Sequence, residues 1–465
     1  MSARSPILAE LRATVALAAP LAAANVVQLL LGFTDTVMVG RLGGFPLAAA
    51  GLGAGLYFTL SIILHGVLSA VSPLAAHALG RGDRRAAGRV AAEGLGLALL
   101  VAIPVMLAIG SLDRLLAAIG YDPPLAAEVG RFLHAILWGA PAILLAGVLR
   151  GFLTAAGRTR PVLVVLMLCV PVNAALNWVL IYGNLGAPAL GVAGSGYASA
   201  IVQWLGFVLL ALYVVAMPSL AAMRPFAGIF RRPWREMRAI LRLGLPIGGI
   251  YALETGVFAT TGIMMGLLGP AALGAHQVAL NFAGLTFMVP LGIGQAATAR
   301  IAFELGAGRP AEARRAGRVA LALGLGFMAA TATGLWCFPR AIVGLYVDAA
   351  DPGNAVLVGT ALHLLAIAAA FQVFDGVQTI AAGVLRGYKD TTLPMLLAAI
   401  GYWGIGFVGG WLLAFPLGWG PVGLWWGLAL GLAVVALLLA ARFQLMGAAS
   451  PAAASPTAAA PAGAR

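Results

Sequence analysis

The chain has 465 residues, 62% of them hydrophobic and only 9% charged, with a mean hydropathy of +1.00. Soluble domains carry about 25% charged residues, so a soluble enzyme is excluded. The 28 Lys+Arg against 15 Asp+Glu give a net charge of +13, but the basic patches interleaved with aromatics that nucleic acid requires are missing.

Apolar runs long enough to cross a hydrocarbon core of roughly 30 Å fall near 14–38, 47–78, 90–110, 132–151, 161–183, 192–217, 241–267, 273–299, 318–338, 355–384, 394–416 and 421–441. They predict twelve membrane-spanning helices and an all-α polytopic fold. The first run follows Arg4 and Arg12, contains Asp35 and lacks a small-residue cleavage site, so it reads as a retained helix and not a signal peptide. On this helix Gln28 and Asp35 are seven residues apart and share a face. The basic stretch RGDRRAAGR (81–89) anchors the loop between helices 2 and 3, and Glu93, four residues after Arg89, is expected to pair with it along helix 3. Helix 5 carries Asn173 and Asn177 one turn apart. A basic, Pro-containing stretch, MRPFAGIFRRPWREMR (223–238), links helices 6 and 7. Helix 7 brings Tyr251 and Glu254, helix 8 brings His276 and Phe282, and a second anchor, GRPAEARRAGR (308–318), precedes helix 9. Helix 10 carries His363, Phe371, Phe374 and Asp375. The isolated His65, His276 and His363 are expected to bond locally. Cys169 and Cys337, far apart in apolar runs, indicate neither a disulfide nor a zinc site.

With an even number of spans both termini share a side. Placing the N-terminus inside puts every Lys and Arg except Arg41, Arg114, Arg131 and Arg340 in inner loops or termini, as the positive-inside rule demands. Outer loops then carry Asp113, Asp122, Glu128, Asp348 and Asp351.

A shift of 226 residues superposes Pro20 on Pro246, Gly40 on Gly266, Gly43 on Gly269, Gly66 on Gly292, Gly80 on Gly306 and Gly82 on Gly308, and AGVLRG occurs at 146–151 and again at 382–387. Both AGVLRG copies are expected in inner loops, 4–5 and 10–11. The repeats therefore run parallel, and such repeats are related by an axis along the membrane normal, with substrate held between them. The expected domains are an N-lobe at 1–217, a basic linker at 218–240, a C-lobe at 241–444, and a disordered Ala/Pro/Ser tail at 445–465. The pattern points to a transporter working by alternating access.

Three acids lie inside spans: Asp35, Glu254 and Asp375. Intramembrane carboxylates are costly and mark ion, proton or substrate paths, and low dielectric disfavours their charged form, so a proton or a bound Na⁺ exchangeable for another cation follows. Asp35, Asn173 and Asn177 form an oxygen set that suits a hard cation; interhelical hydrogen bonding by the two Asn fits the same residues. Aromatics near the acids, Tyr251, Phe282, Phe371 and Phe374, suit an organic cation. Under the 226-residue shift Gln28 falls opposite Glu254 and Thr261 opposite Asp35, so the halves share a scaffold but not their charges. Walker, Rossmann, HExxH and GxSxG signatures are missing, which leaves ATP hydrolysis and enzymatic chemistry unsupported.

The stretches TDTVMVGRLG (34–43), YALETGVFATTGIMMGLLG (251–269), GAHQVALNFAGLTFMVPLGIGQAATARIA (274–302) and FQVFDGVQTIAAGVLRGYKDTTLP (371–394) resemble the multidrug and toxic compound extrusion (MATE) family, in its bacterial NorM-like branch. The resemblance implies a monomeric secondary antiporter of the bacterial inner membrane with cytoplasmic termini. It exports cationic amphipathic compounds against Na⁺ or H⁺ and needs no other cofactor. By motif, Asp35 matches the helix 1 acid, Glu254 and Asp375 the C-lobe acids, Asn173 and Asn177 the polar pair beside the first acid, and Gln28 a cavity position. Asp351 aligns with an acidic cap over the outer 9–10 loop, and Phe371 stands where the branch often has Tyr. The rival implied by the wider superfamily is a flippase for lipid-linked oligosaccharides. Its cavity would be lined with basic residues, whereas here these are expected in the inner loops.

Overall fold

A computed structural model describes residues 6–230, 234–348 and 351–448, with side chains to residue 446. Most of the tail expected from 445 onward, residues 449–465, lies outside the described residues.

Twelve helices are long and apolar enough to cross a membrane: α1 (Pro6–Gly40), α2 (Gly44–Gly80), α3 (Arg84–Ala118), α4 (Pro123–Ala155), α5 (Arg160–Tyr182), α6 (Val192–Ala216), α7 (Arg235–Leu267), α8 (Pro270–Gly306), α9 (Pro310–Cys337), α10 (Pro352–Gly387), α11 (Thr392–Ala414) and α12 (Gly420–Met446). There is no strand among the described residues. Helices alone satisfy every backbone group within one segment, which is what a bilayer requires. Large apolar side chains such as Leu107, Leu212, Trp336 and Leu437 point outward, more than half exposed, and form the surface that lipid covers.

The helices form two six-helix lobes, α1–α6 and α7–α12, related by a pseudo-two-fold axis along the membrane normal. The repeat is visible in backbone conformation as well as in sequence. Gly43 and Gly269 hold nearly the same left-handed φ, 116° and 113°, where α2 and α8 begin, a conformation open to glycine at no steric cost. Pro20 and Pro246 lie inside α1 and α7. There neighbouring helices offset the lost backbone bond.

The lobes interlock. Ala18 and Leu21 of α1 belong to the C-lobe core, while Met237, Ile240, Leu243 and Ile247 of α7 belong to the N-lobe core, so each lobe receives the first part of the other's leading helix. Small residues allow the crossing: a methyl group on Gly80 would strike the Phe303 carbonyl, and one on its repeat partner Gly306 would strike the His77 carbonyl. Polar contacts join the lobes at the same end, the one predicted to face inward. Arg300 of α8 donates from Nε and a terminal nitrogen to the two carboxylate oxygens of Glu10 in α1, each at 2.7 Å.

Two expectations fail at this end. Glu93 does not pair with Arg89; its Oε2 accepts from the Met237 backbone N–H at 2.7 Å, and Arg89 approaches Asp83 and Glu236 instead. The buried carboxylate is better placed at the start of α7, where backbone donors lack intrahelical partners and the helix dipole favours negative charge. Nor do the AGVLRG copies lie in loops. Both are helical, ending α4 and α10, because Arg150 and Arg386 face polar partners between the lobes and the helices need not stop where the apolar run does.

Candidate site: two carboxylate clusters flanking the lobe interface

The N-lobe cluster is built by α1, α5 and α6. Asp35 Oδ1 accepts from Asn177 Nδ2 at 2.6 Å and its Oδ2 accepts from Ser199 Oγ at 2.7 Å. Asn177 Nδ2 also reaches Asn173 Oδ1 at 3.2 Å. Both Asn side chains are buried, and Asn177 Oδ1 has no hydrogen-bond partner. A carboxylate held by neutral donors, beside an unpaired amide oxygen, has room in its hydrogen-bonding for a proton or a small cation.

The C-lobe cluster is built by α7, α10 and α11. One amide, Gln378 Nε2, lies between two carboxylates, 3.4 Å from Glu254 Oε1 and 3.3 Å from Asp375 Oδ1, and 3.0 Å from Thr379 Oγ1. Both carboxylate distances are long for N–H···O bonds, so a single NH₂ group is stretched between two acceptors. Its other end is fixed: Tyr402 donates its hydroxyl to Gln378 Oε1 at 2.7 Å. Tyr402 stands in an unusually wide helical turn, Ile400–Phe407 of α11, with i→i+5 geometry, a form often found where a side chain must be redirected at a functional position. Trp403, the next residue, donates to the Leu253 carbonyl of α7 at 3.1 Å. Among the described residues no ion pair includes Asp35, Glu254 or Asp375.

The structure brings together Asp35, Asn173 and Asn177 in one cluster and Glu254 and Asp375 in another. Tyr251 joins the lobe interface, where Arg386 donates to its hydroxyl at 3.1 Å and stacks over its ring at 5.1 Å. Gln28 accepts from Arg150 at 2.9 Å. Phe282 and Phe374 are half-buried against the C-lobe core. Phe371 is wholly inside that core, edge-on to Phe258 and Trp425, so the hydroxyl of a Tyr there would need a partner among aromatic rings. Asp351 accepts from the Gly353 N–H at 2.8 Å and so caps the start of α10. His363 bonds the Gly359 carbonyl one turn back, the local arrangement expected, whereas His276 accepts from Trp425 Nε1 of α12, a bond between helices and not a local one.

Four participants are new. Gln378 stands one turn after Asp375, a spacing from which a shared helix face could have been read. Ser199 was legible only as a polar residue in the GSGYAS run. Tyr402 had no sequence signal, since its orientation depends on the wide turn. Arg386 stands three turns beyond Asp375 and is brought by the fold to Tyr251, one turn before Glu254, although no basic residue lies near either acid in sequence.

A two-lobed, twelve-helix membrane protein with carboxylates inside the spanning helices of each lobe belongs to the polytopic transporter class. The MatE family model matches residues 20–179 and 246–412, and the chain belongs to the MatE family. It is 45% identical over 434 residues to the multidrug resistance protein NorM of Burkholderia vietnamiensis, covering 93% of each chain. It is also 42% identical to the probable multidrug resistance protein NorM of Pseudomonas aeruginosa, covering 95% of this chain and 90% of that one. The fold superposes on the eukaryotic MATE transporter AtDTX14 with a TM-score of 0.85 at 23% identity, covering 94% and 96% of the two chains. It also superposes on an outward-facing multidrug resistance MATE family transporter with a TM-score of 0.81 at 18% identity, covering 97% and 99%.

Proposed function

We propose that the protein is a secondary multidrug antiporter of the bacterial inner membrane, working as a monomer with both termini cytoplasmic and exporting cationic amphipathic compounds against Na⁺ or H⁺. One observation carries the reading: Glu254 and Asp375 share a single amide donor and have no basic counter-ion in contact, in a chain whose relatives are multidrug resistance proteins. Two carboxylates that close repel unless a cation joins them. A proton, Na⁺ or organic cation satisfies the same need, and exchange follows from competition among them. Linkage makes the competition reciprocal, since a drug that weakens ion binding is itself displaced by the ion. Asp35 with Asn173, Asn177 and Ser199 supplies a second ion position. Interlobe contacts at Glu10–Arg300 and Gly80–Gly306 hold the inner end together, as expected of a state open on the opposite side.

The test is ethidium efflux from proteoliposomes driven by a Na⁺ gradient alone and then by a pH gradient alone. Uphill efflux under at least one gradient supports the antiporter, and efflux indifferent to both defeats it.

The flippase reading gains one observation from the structure, because Arg150 and Arg386 lie between the lobes and not in loops. Two guanidiniums around a cavity of about 70 Å³ still make a poor cradle for a pyrophosphate-linked oligosaccharide, and exporter remains the better reading.

A further inference from the structure

The two AGVLRG copies place Arg150 and Arg386 at matching ends of α4 and α10, and the lobes bring both toward one small cavity between them. The cavity has a volume of about 70 Å³ and is lined by His65, Ser72, Arg150, Tyr251, Gln295 and Arg386, among others. That volume holds a few waters or one small group; pockets for whole drug-sized ligands run about 300–1,000 Å³. His65 lines the same cavity, with Arg150 of one lobe and Arg386 of the other.

Their partners are neutral. Arg150 donates to the amide oxygen of Gln28 and Arg386 to the phenol of Tyr251, and among the described residues neither forms an ion pair. Two donors in this neighbourhood are unused. Arg386 Nε is buried without a hydrogen-bond partner, and so is Ser72 Oγ, on a side chain nine-tenths buried. Buried donors without partners each cost about 1–3 kcal/mol, and buried charges are ordinarily paired. A guanidinium pair with free N–H groups and a hydroxyl is the donor set that binds carboxylate or phosphate oxygens.

We propose that this cavity is an oxyanion site, taking the carboxylate or phosphate group of an amphipathic molecule whose cationic part engages the carboxylate clusters. The proposal rests on the exporter reading and extends it by assigning the position that receives the anionic group of a transported molecule. Each half of such a molecule meets its opposite charge, the anion at the arginine pair and the cation at Glu254 and Asp375, with Arg386 and Tyr251 linking the two regions.

Rhodamine B, which carries a free carboxylate, and its ethyl ester, which does not, make a matched pair of probes. Their affinities are measured by fluorescence anisotropy on the full protein in phosphatidylcholine nanodiscs, for wild type, R150Q, R386Q, R150Q/R386Q and the charge-retaining R150K/R386K. The expected result is a fall of about tenfold in the acid-to-ester affinity ratio for the double Gln variant, the scale of a lost charge-assisted bond, with substantial recovery in the double Lys variant. A parallel arm titrates short-chain phosphatidylglycerol. If the rhodamine ratio is unmoved but this lipid binds wild type and not R150Q/R386Q, the oxyanion is a lipid phosphate: the anion site stands, and its pairing with a cationic group at the carboxylate clusters is overturned. If neither measurement separates wild type from R150Q/R386Q, the site is overturned. Efflux of the ester by wild type is scored separately: its absence under both ion gradients would sink the exporter reading, while the binding ratio still reports on the arginines.

Discussion

The two carboxylate clusters draw on the matching helices α1 and α7 of a duplicated scaffold, but at different positions, with Thr261 opposite Asp35 and Gln28 opposite Glu254, and they are wired differently. In the N-lobe one carboxylate has two donors to itself, Asn177 and Ser199, each closer than 2.8 Å. In the C-lobe two carboxylates divide one stretched amide of Gln378. A single acid with two short hydrogen bonds receives partial compensation for a charge in the membrane, because hydrogen bonds stabilise the ionised form. A doubly occupied, under-bonded pair receives less, and it gains most from an incoming cation. Duplication thus produced a scaffold with two-fold symmetry and a chemistry without it, and under the proposed function the competition between drug and coupling ion is assigned to the C-lobe pair.

That contrast is exposed most severely by removing charge. E254Q/D375N should reduce gradient-driven ethidium efflux by about a hundredfold or more, the scale for deleting a desolvated charged partner, while the protein still elutes as a folded species in detergent. D35N should cost less, about tenfold, because Asn177 and Ser199 keep neutral partners at the site. A loss under D35N equal to that of the double variant would erase the proposed division between the lobes. Donor deletions are a finer probe. Q378A removes the amide from both acids and the acceptor from Tyr402, whereas S199A removes one donor of two from Asp35. The expected order in thermal stability is wild type, then S199A, then Q378A, since an orphaned buried hydroxyl costs about 1–3 kcal/mol. An S199A protein less stable than Q378A would contradict the account of how the two clusters are held.

The fold was legible because membrane constraints are written in composition: twelve apolar runs became twelve helices, and the glycines of the repeat became helix starts and close crossings. The ends of helices were less legible. Apolar run length placed Arg150 and Arg386 in loops, since hydropathy reads a guanidinium as the end of a span whether it meets water or a polar cavity. The acids of the site were conspicuous as charges in apolar helices, and the Asn173–Asn177 turn was visible as spacing. Their partners were not, because Ser199 comes from a different helix and Tyr402 depends on the wide turn of α11. Phe371 was singled out by its position one turn before Asp375, but one turn does not fix a face closely enough to separate cavity from core.

The most direct test of the central claim is the affinity of purified protein for ethidium as a function of pH and of Na⁺, in wild type, D35N and E254Q/D375N. If the C-lobe pair is where drug and ion compete, wild-type affinity falls as protons or Na⁺ are added. D35N retains most of that dependence, and E254Q/D375N binds weakly with almost none. An E254Q/D375N protein whose ethidium affinity still falls with protons or Na⁺ as steeply as wild type would contradict the claim.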